Sequence, residues 1–352
     1  MTSRERVLAA INHQPTDRLP ADYSAHTEVT EALKARLSLA TYEQLLQALH
    51  IDLRHIPAPY TYPPSEPDEA GYRRNMWGTR YRGDRVALAD HRDDEHSTES
   101  PSLISPFTEE ATVADVHAHP WPDPAQLDYA TVRAQCEQFG GQYALVGAPW
   151  SPFFHEAGWL IGQEKFYIWL TTKPDVVQAI IAHIVDFEVE ATRLFLEAAG
   201  GLIDIAYFGN DFGTQRGLFI SPQMWQQFFQ QPLKRFYDLA HSFGCKVMQH
   251  SCGAVRALIP WFIEAGVDIL DPIQVAADGM ALPDLYRDFG SRLAFHGGAD
   301  TQTILPFGTV ADVRELIQQY RELTRAQGGY ILAGSQEYMR DIPLDNILAI
   351  YE

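Results

Sequence analysis

The sequence predicts an α/β fold, a single (β/α)8 TIM barrel over residues 1–352 with a loop and hairpin excursion after its second strand. Three observations predict it. Short apolar runs alternate with amphipathic helical stretches along most of the chain, a pattern that requires parallel pairing through right-handed crossovers. Eight such runs can be counted, the number that closes into a barrel. No glycine fingerprint follows the first run at Tyr23, where an open doubly wound sheet would prefer one.

The elements follow in order. Residues 3–12 read as a helix capped by Ser3 and stopped before Pro15. Strand one is 19–24; helices over 29–37 and 42–49 lead to strand two at 51–57. Residues 61–120 break this rhythm with dense Pro, Asp, Glu, Ser and His, and 74–82 alternates around Trp77-Gly78-Thr79 like a hairpin. The run Asp90-His91-Arg92-Asp93-Asp94-Glu95-His96 reads as solvated loop. Regularity then returns. Helix 129–139 precedes strand 143–147, helices 166–171 and 174–199 precede strand 203–208, and helix 222–243 precedes strand 245–250. Helix 255–265 precedes strand 267–271, helix 280–289 precedes strand 293–296, and helix 310–327 precedes strand 330–333. A short helix over 343–352 ends the chain.

Composition excludes several partners. With 46% hydrophobic residues in 352, the chain can bury a large core. A formal charge of −19 argues against nucleic acid, which draws on clustered Lys and Arg. Cys136, Cys245 and Cys252 are too few and too irregular for a disulfide framework, which fits a cytoplasmic location. Neither a signal core nor an apolar run of about 18 residues is present, so no membrane partner is expected. A small-molecule substrate is the expected partner. A homodimer is the oligomer to consider, with 61–120 as an interface or a lid.

In such barrels the chemistry collects where strands end. Those ends are polar here: Asp22, Tyr23 and His26; Tyr60; Trp150, Phe153, His155 and Glu156; Asn210, Asp211, Thr214 and Gln215; His250 and Cys252; Asp271 and Gln274; His296 and Asp300; Gln336, Glu337 and Tyr338. Of these, Tyr23, Tyr60, Trp150, Asn210, Gln274, His296 and Glu337, with Tyr207 inside the fourth strand, are expected to contact substrate. Asp271 before Pro272 reads equally as a turn former or as a catalytic acid, and Asp300 as a structural carboxylate fixing the Gly297-Gly298 turn. Asp211, between Asn210 and a Phe212-Gly213 bend with no helix to cap, carries a catalytic expectation. His250 and Cys252 stand two positions apart on an extended strand, so they point to one side and present two soft ligands to one Zn²⁺. The alternative is a satisfied buried histidine and an inert thiol.

Several stretches together resemble the uroporphyrinogen decarboxylase superfamily. They are Arg4-Glu5-Arg6-Val7-Leu8-Ala9-Ala10-Ile11 with Asp17-Arg18-Leu19-Pro20, Trp121-Pro122-Asp123-Pro124, Asn210-Asp211-Phe212-Gly213-Thr214-Gln215, His250-Ser251-Cys252-Gly253, Gly266-Val267-Asp268-Ile269-Leu270, His296-Gly297-Gly298-Ala299-Asp300-Thr301-Gln302, and Gly329-Tyr330-Ile331-Leu332-Ala333 with Pro343-Leu344-Asp345-Asn346-Ile347. The resemblance covers essentially the whole chain and implies the same (β/α)8 barrel. Its decarboxylase branch carries an Arg-Gln-Ala-Gly-Arg motif that grips substrate carboxylates; the corresponding Ala21-Asp22-Tyr23-Ser24-Ala25-His26-Thr27-Glu28 has no arginine. His250-Ser251-Cys252 is similar to the methyltransferase branch, where zinc held by His-x-Cys and a distant Cys lowers the pKa of a substrate thiol. That distant position falls on Gln336. The resemblance thus implies zinc on His250, Cys252 and Gln336, with Glu337 or His296 as stand-ins for the last. It also implies Asp211 and His250 as catalytic residues, and a corrinoid or corrinoid protein as co-substrate or partner.

Three functions stay open on this reading. The first is methyl transfer between a small methylated compound or methyl-corrinoid and a metal-activated acceptor. The second is metal-free decarboxylation, with Asp211 or Asp22 stabilising a cationic intermediate. The third is a non-catalytic tetrapyrrole- or corrinoid-binding barrel.

Overall fold

The computed structural model describes residues 1–58, 65–82 and 103–352. Among them are nine strands: β1 Leu53–Ile56, β2 Tyr72–Arg74, β3 Arg80–Arg82, β4 Ala144–Gly147, β5 Ile205–Gly209, β6 Lys246–His250, β7 Ile269–Ile273, β8 Ala294–Ala299 and β9 Tyr330–Gly334. Seven form one parallel sheet in the order β1, β4, β5, β6, β7, β8, β9, with helices between successive strands. The sheet curls in the manner of a TIM barrel. β2 and β3 pair antiparallel as a separate hairpin, whose Asn75 side chain accepts the Trp77 and Thr79 N–H groups. Tyr60, the charge run 90–96 and part of the 61–120 excursion lie outside the described residues.

The expected first strand, 19–24, is corrected by the structure. It holds only an isolated parallel bridge, Ala21 to Leu332, followed just beyond it by another, Ala25 to Tyr338. The backbone explains the shortness: Pro20 has no N–H to donate, and the Ala21 N–H goes to the Asp52 carboxylate instead of a strand. The segment still joins both edges of the sheet. Leu332 N–H donates to the Pro20 carbonyl, Asp22 N–H to the Leu332 carbonyl, and Asp52 N–H to the Ala21 carbonyl. Fully buried Asp52 also accepts from Arg6 and Arg18 at 2.7 Å each, while Arg6 forks onto Asp17 at 2.6 and 2.8 Å.

The inner face of the curled sheet is filled by one residue or two from each strand: Leu53, Ala144, Val146, Ile205, Met248, Ile269, Ala294 and Ile331. Val7 and Ile11 of the helix Ser3–Ile11 pack into the same cluster. That helix is capped by Thr2, in a capping box with Glu5, and not by Ser3. Side chains alternate across a strand, so the residues two steps further along face the same side. On five strands they are polar, His55, Tyr207, His250, Asp271 and His296, and on β4 and β9 the same step reaches Ala148 and Ala333. An apolar floor therefore carries a polar layer at the C-terminal ends of the strands.

Helix bounds depart from expectation where proline or packing intervenes. The stretch 222–243 is Pro222–Trp225, a π-helical turn Gln226–Gln230, and then Gln231–Ser242, which takes Pro232 in its first turn. The helix expected from 255 begins at Ile259, with Pro260 in its first turn. The helix Phe153–Ile161 has no counterpart in the sequence reading. No helix among the described residues is long and apolar enough to cross a membrane.

Candidate functional site

Three donor atoms converge where β5 and β6 end. Nε2 of His250 lies 3.2 Å from Sγ of Cys252 and 3.3 Å from Oδ1 of Asp211, and the ligand atoms of all three lie within 4.8 Å of one another. Asp211 is placed by two neighbouring segments: Oδ1 accepts the Cys252 N–H at 2.7 Å, and its N–H donates to His155 Nε2 at 3.0 Å. Gln336 donates through Nε2 to Cys252 Sγ at 3.0 Å, so the third expected ligand stands beside the thiol.

Behind this trio the polar layer continues as alternating acids and imidazoles. Asp271 Oδ2 contacts His250 Nδ1 at 2.7 Å and accepts from the Tyr207 hydroxyl at 2.5 Å. Its Oδ1 contacts His296 Nδ1 at 2.5 Å, and Nε2 of His296 reaches Asp22 Oδ2 at 3.2 Å. Asp22 Oδ2 also meets His55 Nε2 at 2.8 Å. Asp22, Asp271 and His296 are buried, whereas His55 is about half exposed, its side chain 47% accessible.

The electrostatics follow from this alternation. Burial pushes each acid toward its neutral form, but the facing imidazoles win and hold Asp22 (beside His55 and His296) and Asp271 (beside His296 and His250) well below the usual carboxylate range. Asp211 is lowered likewise, against burial, by His250. Burial also opposes charge on His296, yet Asp271 and Asp22 raise it from 6.5 to about 10. His250 is raised well above its ordinary value against the same burial, by Tyr207, Cys252, Asp211 and Asp271. Tyr207 is pushed up, first by burial and then by Asp271.

An aromatic wall flanks the trio. The Trp150 ring stands edge-on to Tyr207 and His250 at 4.9 and 5.0 Å, and it lies over Gly209, where a Cβ would come within 2.0 Å of the indole. Asn210, read as a substrate contact, is instead buried and spent on backbone: Oδ1 accepts from Phe154 N–H and Nδ2 donates to the Ser151 carbonyl. It fastens the loop that carries Trp150 to the start of the helix that carries His155. Tyr23 is buried among Tyr42, Tyr338 and Tyr351, with its hydroxyl 3.1 Å from Thr30 Oγ1. Gln274 accepts the Gly253 N–H and donates to Gln215. Glu337 accepts from Ser24. His296 belongs to the buried chain, both ring nitrogens engaged. Tyr60 lies outside the described residues. The sequence reading left Asp271 ambiguous and did not single out His55. The signal that finds both is the two-residue step from the interior positions Ile269 and Leu53.

The uroporphyrinogen decarboxylase (URO-D) family model matches residues 94–352. The chain belongs to the uroporphyrinogen decarboxylase family. That match spans β4 to β9 and every member of the trio. None of the curated proteins compared matches the chain. Among solved structures, a methyltransferase from Methanosarcina mazei is similar over 99% of this chain and 97% of its own, with a TM-score of 0.67 and 18% identity. That likeness shows a shared fold. Within the uroporphyrinogen decarboxylase fold, the polar layer described here occupies the strand ends where such sheets place their chemistry.

Proposed function

We propose that this chain is a methyltransferase-like member of its family, moving a methyl group between a small methylated compound or methyl-corrinoid and an acceptor held at a metal centre. The convergence of Asp211, His250 and Cys252 carries this reading. One imidazole nitrogen, one sulfur and one carboxylate oxygen are a donor set that suits zinc. The acid behind His250 also suits it, because metal-bound histidines regularly give their second N–H to a carboxylate. Gln336, which presents Nε2 to Cys252 here, would complete the set through its amide oxygen with the amide turned over. Zinc bound there supplies positive charge that favours the ionised form of an acceptor thiol.

The protein's own groups do the rest. Asp271 accepts a hydrogen bond from His250 Nδ1–H, which fixes the tautomer whose Nε2 lone pair would face a bound metal. Tyr207 donates to the same carboxylate oxygen and keeps it from turning. Asp211 bonds the Cys252 N–H, which holds the two ligands in register. Trp150, anchored over Gly209, walls off one flank from water. The acidic character of the chain and the absence of an arginine in 21–28 disfavour a polycarboxylate substrate. Support for the transfer chemistry also comes from the fold shared with the Methanosarcina mazei methyltransferase. A cytoplasmic location and a corrinoid protein as partner belong to this proposal.

The decisive measurement is metal content of purified protein after zinc reconstitution, for wild type, His250→Ala, Cys252→Ser and Asp211→Asn. About one zinc per chain in wild type, lost in the first two variants and bound roughly 10–100-fold more weakly in Asp211→Asn, is the expected result. No zinc in wild type sinks the reading. The His55–Asp22–His296 chain would then favour the metal-free alternative, in which ionised Asp22 stabilises a cationic intermediate of decarboxylation.

A further inference from the structure

We propose that His296 and Asp22 are positioning residues of this centre: locked between two carboxylates, the His296 ring fixes Asp271 and through it the orientation of His250. This rests on His250 being a metal ligand. A neutral imidazole has one N–H to give, yet His296 faces Asp271 through Nδ1 at 2.5 Å and Asp22 through Nε2 at 3.2 Å. With ionised acids on both sides, it serves both as an imidazolium.

The consequence for Asp271 is that neither oxygen is free to move. Oδ1 is held by His296, and Oδ2 by the Tyr207 hydroxyl and His250 Nδ1. A carboxylate pinned at both oxygens sets the plane of the ring it bonds. The His250 ring then has one orientation, with Nε2 toward Cys252 and Asp211. Asp22 is anchored in turn. Its Oδ1 accepts the Tyr23 N–H at 2.8 Å, and its backbone N–H bonds Leu332 in β9. The strut therefore runs from the junction of the sheet's two edges to the ligand trio, and neither His296 nor Asp22 touches the trio itself.

The test is metal binding rather than turnover. Cobalt(II) is loaded into wild type, His296→Ala, Asp22→Asn and Asp22→Glu, and its visible spectrum and a chelator-competition Kd are recorded with circular dichroism as a check on fold. Wild type is expected to bind cobalt tightly with a tetrahedral spectrum. His296→Ala is expected to weaken binding about 10–100-fold and shift the bands. Asp22→Asn, which keeps the size but not the charge, should weaken it less, and Asp22→Glu should recover part of the loss. Unchanged affinity and spectrum in folded His296→Ala and Asp22→Asn would overturn the strut while leaving the metal centre standing. Failure of wild type to bind cobalt would overturn the centre and the strut together. Should His296→Ala not fold, Asp22→Asn decides.

Discussion

Glu156 sits one position beyond His155, yet it has no part in the ligand trio. It is buried with Oε2 unpartnered, and Glu188 is buried with both carboxylate oxygens unpartnered. Burial pushes Glu156 up from 4.5 to about 8, and Glu188 is also raised, by burial and then by Glu156. The folded state thus holds a proton that the unfolded state releases above 4.5. Stability from this group is complete below that value and is lost as pH rises toward about 8. Glu156→Gln is expected to remove this decline and to stabilise the protein at pH 8 by about 1–3 kcal/mol, with little change at pH 4.5. Urea unfolding at the two pH values measures it; an equal decline in the variant would contradict it. Such a carboxylate is invisible in sequence, because Glu156 reads as one more polar residue after a strand until the helices Phe153–Ile161 and Pro174–Ala199 bury it. The same holds for the acid–imidazole chain. His250 and Cys252 could be read from two alternate positions at one strand end, but His296 and Asp22 are 274 positions apart, and only the curl of the sheet brings them together.

Strands were more legible than helices, for a physical reason. A buried parallel strand is a short apolar run whichever neighbour it meets, so 203–208, 245–250, 267–271 and 330–333 could be located without knowing the sheet. Helix ends answer to local exceptions: Thr2 outcompeted Ser3 because Glu5 completes its capping box. Turns carry stricter demands. Gly253, immediately after Cys252, has φ +83°, and a Cβ there would lie 2.5 Å from the Gly213 backbone and 2.6 Å from the Thr214 carbonyl. Backbone on the far side cannot swing away as a side chain would. Gly253→Ala is therefore expected to cost about 2–4 kcal/mol, and to weaken zinc binding by displacing Cys252. Denaturant midpoints and chelator competition read the two effects, and a variant matching wild type in both would refute the argument.

At the scale of the molecule, the opening motif Arg6, Asp17, Arg18 was readable as a family likeness, but its task was not. It ties the first segment to β1 through Asp52, which is fully buried and also holds the Ala21 N–H. Asp52→Ala would leave Arg6 with Asp17 as its one remaining carboxylate partner and the buried Ala21 N–H unpaired, an expected loss of about 2–4 kcal/mol. A loss under 1 kcal/mol in urea unfolding would show that the tie is dispensable. The bridge from Ala21 to Leu332 has a further consequence, for the ribosome. Residue 21 waits for a partner synthesised some 300 residues later, so at a pace of about 5–20 residues per second it waits on the order of tens of seconds. Throughout that time the first segment has its β9-facing side unpaired, the Asp22 N–H and the Pro20 carbonyl open to neighbouring nascent chains. Translation, and not the chemistry of folding, sets the earliest moment at which this protein can close.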